Sequence, residues 1–170
     1  MVGKRERAMR PIVIGLGEIL WDMLPGGKQL GGAPANFAYH AHALGAQGCV
    51  VSAVGTDAPG DEILERLQGL GLDPAYIARD AIHPTGTVEV TLDGRGVPRY
   101  IIREGVAWDF VPATAEAIAL AGRTDAICFG SLAQRAEVSR ATVHAMLRSA
   151  RRGCLRVFDI NCRQHYFDVI

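Results

Sequence analysis

Between Gly15 and Ala38 the chain reads GLGEILWDMLPGGKQLGGAPANFA, and four of its residues have the chemistry to hold a polyhydroxylated ligand. Gly31 and Gly32 let backbone approach a ligand with no Cβ in the way, and a helix starting just after them offers free amides and a positive dipole end. Asn36 carries a donor and an acceptor, which suits hydroxyl groups that both give and take hydrogen bonds. Asp22 is an acceptor able to take two hydroxyls at once. A plainer reading stands beside this one: the glycines make a tight loop, Asn36 caps a turn and Asp22 is a solvated charge.

Two nucleotide motifs fail on the same stretch. A dinucleotide fingerprint needs GxGxxG opening a helix, but Leu20 stands at the third glycine position and WDMLPGG cannot open one. A phosphate loop needs GxxxxGK followed by Ser or Thr, whereas Asp22 occupies the first glycine position and Gln29 follows Lys28.

The elements that must position these residues alternate in type. PIVIG (11–15), GCVVSAV (48–54), DAICFG (125–130) and RVFDI (156–160) are short apolar runs bounded by turn residues, which predicts buried strands. Helices are expected over 34–44, over 57–70 with Asp57 as N-cap, and over 138–152 with Val143, Met146, Leu147 and Ala150 on one stripe and Gly153 as the stop. Such alternation implies a mostly parallel sheet with helices on both faces. Residues 86–102 (GTVEVTLDGRGVPRYII) instead alternate apolar and polar around DGRG, predicting an antiparallel hairpin. We expect it, with the segment near 19–30, to form a small β-lid standing off the main body. Val88, Val90 and Leu92 share one face of that hairpin, which then needs a cover.

With 170 residues, 49% of them hydrophobic and 21% charged, the chain has the material for one sizeable core. The balance of 18 Lys+Arg against 18 Asp+Glu argues against a partner nucleic acid or an anionic membrane. The basic start, MVGKRERAMR, reads as a disordered tail over 1–10, with Met9 an alternative initiator. The apolar run after it is broken by Glu18 and Asp22, so no targeting or membrane-spanning segment is expected. Cys49, Cys128, Cys154 and Cys162 form no CxxC pair and meet no histidines at ligand spacing, which fits a reduced, zinc-free, cytoplasmic protein. His40 and His42, two apart on a helix, cannot share a metal.

The residues from Arg10 onward resemble the PfkB family of sugar kinases, with its ribokinase-like α/β fold. The resemblance rests on Gly31-Gly32, Pro34, Asn36 and Ala38, with six residues to Gly45 and nine more to Gly55, and on GEILWD (17–22) and FDINCR (158–163), which are similar to the fructokinase-like branch. It implies ATP-dependent transfer of a phosphoryl group to a sugar's primary hydroxyl, with ATP and Mg2+ as cofactors, fructose as the acceptor, and a homodimer formed through the β-lid. By motif, Asp22, Gly32 and Asn36 would hold the sugar and Gly31 would let backbone come close. Asn161 and Arg163 would face the phosphates or the magnesium, with Asp159 orienting them. GVAWDF also resembles the family, but Trp108 and Asp109 receive no contact from it.

The sequence departs from the family at one point. The family's catalytic base is an Asp in a Gly-x-Gly-Asp loop, and no such segment occurs here, so no catalytic residue is assigned and 11–170 reads as the N-terminal part of a truncated kinase domain. Two alternatives stay open: a non-catalytic sugar-binding or interaction fragment, and a kinase for ribose, a ketodeoxy sugar acid or a nucleoside.

Overall fold

A computed structural model describes residues 10–92 and 98–162. The basic segment 1–9, the DGRG turn at 93–96 and Arg163 lie outside the described residues. Arg10 is described: its guanidinium donates to the carbonyls of Gly45 (2.9 Å) and Ala46 (2.7 Å).

Five parallel strands form the main sheet. β1 (Ile12–Leu16), β4 (Gln47–Gly55), β5 (Ile77–Asp80), β8 (Ala126–Gly130) and β9 (Leu155–Asp159) lie in the order β5-β4-β1-β8-β9. The chain runs from β1 outward to β4 and β5, then returns to β8 and β9 on the other side of β1. The sheet therefore reverses its winding between β1 and β8, and a crevice opens there at the carboxyl ends of the strands.

Residue alternation divides the interior. On β4, Cys49, Val51 and Ala53 enter one core, while Val50 and Val54 enter the other. The second core is closed by α1 (Ala33–Ala43) and α2 (Ala58–Gly69), which supply Ala35, Ala38, Ile63 and Leu67. The first is closed by α3 (Ala115–Ala121), α4 (Glu137–Ser149) and a short 3-10 turn at Ala107–Phe110, which supply Leu120, Val143, Met146 and Trp108. Helices on both faces are thus as the alternation of elements predicts.

Local signals set the element boundaries. Asp57, in extended backbone, accepts the Gly60 amide at 2.9 Å and starts α2. α4 stops at Ser149, three residues short of the expected end; Gly153, at φ 87°, lies in the turn beyond it. β5 and α3 went unpredicted. β5 is only four residues long, IARD, and α3 carries four alanines in seven residues, so neither shows a strong period.

The second sheet contains the predicted hairpin, β6 (Thr87–Leu92) paired antiparallel with β7 (Pro98–Ile102). Its full order is β3-β2-β6-β7, with β2 at Leu20–Leu24 and β3 at Gly27–Gly31. Two expectations are corrected. The sheet is mixed rather than antiparallel, because β2 and β6 run parallel. It also does not simply stand off the body: Leu20, Val88 and Ile102 at its root belong to the first core and Trp21 to the second. Farther out, Met23, Leu24, Tyr100 and Ile101 are exposed.

Candidate functional site

Asp22 and Asn36 face one cleft of about 680 Å3 between the second sheet, α1 and α2, with Lys28, Tyr39, Glu62 and Arg66 among its other walls. Asp22 sits there because β2 turns back on β3 with Asp22 opposite Gln29. Asn36 sits there because α1 begins directly after β3. Asn36's amide donates to the Gly32 carbonyl at 2.9 Å, so backbone closes the first turn and its side chain stays exposed. The turn-capping role for Asn36 is therefore not the one observed: α1 has no side-chain cap.

The two glycines are needed for space. A Cβ on Gly31 would lie 2.3 Å from Asp22 Oδ2, so the carboxylate occupies the volume a side chain would fill. Gly32 has φ 111°, and a Cβ there would meet the Glu18 carbonyl oxygen at 2.3 Å. The pair is thus walled by β2 on one side and by the segment after β1 on the other. Half-burial raises the Asp22 carboxyl above the usual carboxylate range, as expected for an acceptor partly withdrawn from water.

Across the mouth of the cleft Lys28 pairs with Glu62, and its ammonium stands 4.7 Å from the centre of the Trp21 ring. The Trp21 indole donates to the Pro59 carbonyl at 3.0 Å. These contacts tie the outer hairpin of the second sheet to α2. Sequence assigned Lys28, Glu62 and Arg66 no place in the site: Lys28 figured only in the failed phosphate-loop match, and Glu62 and Arg66 read as a solvated i,i+4 pair on a helix face.

Asp159 and Asn161 do not reach this cleft. They line a separate, small cavity at the switch point, together with Glu18, Gly130, Ser131 and Leu132. The Ser131 amide donates to the Asp159 carbonyl at 3.0 Å and its hydroxyl to the Ile160 carbonyl at 2.9 Å, which fixes the end of β9 against the end of β8. Its lining is oxygen-rich and carries two carboxylates, the donor type a hard cation takes, but at about 10 Å3 the cavity has no room for a phosphate. Among the described residues no three His, Cys, Asp or Glu side chains converge as a metal site.

Sequence reasoning missed Glu18 and Arg135. Glu18 is 4% exposed and its Oε2 has no hydrogen-bond partner. Burial lifts its carboxyl to about 7, against the pull of its own amide and that of Ala33; Asp159 adds to the rise and Arg135 opposes it. The available signal was a charge placed directly after a buried strand. Arg135 fills the gap left at Trp108 and Asp109. Its Nε meets Asp109 Oδ1 and its Nη2 meets Asp109 Oδ2, its guanidinium carbon lies 4.1 Å from the Trp108 ring centre, and it also donates to the Arg103 carbonyl just past β7. Trp108 in turn abuts Gly86, just before β6: a Cβ there would lie 2.3 Å from the indole nitrogen. Both roots of the hairpin therefore rest on one buried unit.

A family model described as pfkB family carbohydrate kinase matches residues 26–165. The chain belongs to that family. It is 30% identical over 146 residues to the uncharacterized sugar kinase PH1459 of Pyrococcus horikoshii, covering 80% of this chain and 44% of that protein. It is 35% identical over 156 residues to a fructokinase of Salmonella typhimurium, covering 87% and 50%. The crystal structure of PH1459 superposes with a TM-score of 0.80 at 27% identity, over 89% of this chain and 53% of that one. A Xylella fastidiosa fructokinase with bound ATP gives 0.79 at 23% identity, over 92% and 51%, a likeness of fold. The chain spans about half the length of the curated relatives it matches. The family assignment and the ribokinase-like fold agree with the reading from motifs.

Proposed function

We propose that this chain supplies the acceptor side of a kinase that moves the γ-phosphoryl group of ATP, as its Mg2+ complex, to the primary hydroxyl of a sugar. The carrying observation is that Asp22 and Asn36, far apart in type and element, share one cleft beside the Gly31–Gly32 turn. A carboxylate and a carboxamide there can pair several hydroxyls at once, and a site built on such pairing rejects ligands that lack them. The end of β9, with Asp159 and Asn161, is the phosphate-facing edge. PH1459 has been crystallised with ATP, which supports the same donor here.

Fructose, giving fructose 6-phosphate, is the acceptor we favour, on GEILWD, FDINCR and the Salmonella fructokinase likeness. Turnover of a panel of fructose, ribose, adenosine and a ketodeoxy sugar acid by the intact protein with MgATP tests this. Preference for any of the other three over fructose overturns the acceptor assignment.

A non-catalytic sugar binder is the second reading, since the Asp22–Asn36 cleft would hold a sugar whether or not a phosphoryl group is moved. The intact mass of the native protein separates the two, a species at 18.2 kDa favouring the binder. In either case we place the protein in the cytoplasm. Among the described residues no helix is long and apolar enough to cross a membrane, and the four cysteines are free. The exposed Met23, Leu24, Tyr100 and Ile101 support a homodimer through the second sheet. A monomer by light scattering at micromolar concentration rules that out.

A further inference from the structure

Glu62 and Arg66 stand four residues apart on α2, a spacing at which opposite charges can pair on one helix face, yet they do not pair with each other. Glu62 pairs instead with Lys28 of β3, across the mouth of the cleft. Arg66 lines the same cleft and, among the described residues, holds no ion pair. Glu62 therefore has two cations within reach, one on its own helix and one on the facing hairpin.

The hairpin of β2 and β3 is fixed at its root and loose at its tip. Leu20 and Trp21 enter the two cores, and β2 pairs with β6 from Trp21 to Met23. At the tip, by contrast, a Cβ on Gly26 or Gly27 would meet no atom within 4 Å, and Met23 and Leu24 are exposed. Two polar contacts join the hairpin to α2: the Trp21 indole donating to the Pro59 carbonyl at 3.0 Å, and the Lys28–Glu62 pair. Because the Lys28 ammonium also covers the Trp21 ring, the two act as one clasp.

We propose that Lys28, Glu62 and Arg66 form an exchange latch on the cleft: Glu62 holds the hairpin shut through Lys28 and turns to Arg66 when the hairpin lifts. The Lys28–Glu62 pair is partly solvated, with side chains 35% and 46% exposed, so water screens most of its attraction. Arg66 makes opening easier still, since Glu62 gives up one cation and gains another. Closed and open states then lie close in free energy, as a gate on a ligand site requires. Lys28 and Glu62 are positioning residues, acting on Asp22 through the strands that carry it. The consequence for sugar entry rests on the reading of this cleft as the sugar site; the latch itself does not.

An exchange predicts opposite effects from removing the two charges on α2. The reporter is solvent exchange of the Trp21 indole N–H, read by NMR in the intact protein, with the buried Trp108 indole N–H as internal reference. Exchange at Trp21 should quicken about fivefold in Lys28→Met, which removes the pair and the cover on the ring, and about twofold in Glu62→Gln. It should slow about twofold in Arg66→Gln, where the open state has lost its partner, and Arg66→Gln should add nothing to Glu62→Gln. Exchange that fails to quicken in Glu62→Gln, fails to slow in Arg66→Gln, or changes equally at Trp108 overturns the latch. Fructose association by stopped-flow fluorescence should follow the same order, and equal rates in all four proteins overturn the gating role. If fructose does not bind, the sugar-site reading fails while proton exchange still decides the latch.

Discussion

Arg135 and Asp109 meet at two points, Nε to Oδ1 at 2.8 Å and Nη2 to Oδ2 at 2.9 Å, with side chains only 6% and 4% exposed. The fork geometry adds direction as well as charge, and the Trp108 face completes the enclosure of the guanidinium. Removing one member strands a buried charge. Arg135→Ala and Asp109→Ala should each lower stability by about 3 to 5 kcal/mol in urea unfolding. The double variant should lose much less than the two losses added, because neither charge is then left alone. Additive losses would mean the pair is not coupled.

The cleft shared by Asp22 and Asn36 makes its own prediction. On the proposed reading Asp22→Ala and Asn36→Ala each remove a hydroxyl partner, an effect on the order of 1 to 3 kcal/mol where the partner is buried and more where it is charged. KM for sugar should rise tenfold or more in each variant of the intact protein, with KM for ATP little changed. An unchanged KM for sugar in both, with folding intact, returns Asp22 to a solvated charge and Asn36 to an ordinary helix surface residue.

The 170-residue chain expressed alone should not phosphorylate sugar. Its one Gly-Asp pair, Gly60-Asp61, has Ala58 where a glycine is required and lies in the first turn of α2. General-base assistance typically contributes ~10² to 10⁴-fold, and a single oxyanion donor another ~10² to 10³-fold. ATP consumption with fructose is the measurement, and an Asp22→Ala control removes contaminating host kinases. Turnover above that control places the chemistry within these residues.

Acid should loosen the start of α2. Burial works to raise the Asp57 carboxyl, but the Thr85 hydroxyl and amide and the Gly60 amide outweigh it and hold the carboxyl below the usual range. A depressed folded pKa contributes stability above the unfolded value, which is lost as pH falls through the folded one. Asp57→Asn should therefore be less stable than wild type at pH 7, and the gap should narrow as pH falls below about 4. A gap independent of pH would show that Asp57 acts by shape alone.

The sequence-based strands and helices that proved correct are those with a strong local cause. β1, β4, β8 and β9 are apolar runs between turn residues, and α2 has both a capping Asp57 and a buried stripe of Ile63 and Leu67. The Asp22–Asn36 neighbourhood was legible because spaced glycines constrain a loop strongly. What escaped was set by contacts between distant segments. Arg135 lies 26 residues from Asp109 and reads locally as one more surface cation. Glu18 looks like a break in an apolar run until β8 and β9 are folded beside it. The parallel pairing of β2 with β6 was likewise invisible, because a hairpin pattern says nothing of the strand on its other side.

The Gly31–Gly32 turn is hemmed in by the Asp22 carboxylate and by the Glu18 backbone: at Gly32 the backbone and the φ of 111° refuse even a methyl group, while at Gly31 the obstacle is the end of the Asp22 side chain. Such a turn leaves descent little freedom at its own positions. Gln29, by contrast, is exposed on β3 along the lip of the cleft, whereas Lys28 beside it is held by Glu62 and the Trp21 ring. A change of ligand preference that leaves this turn intact therefore has its cheapest route at Gln29 on that lip.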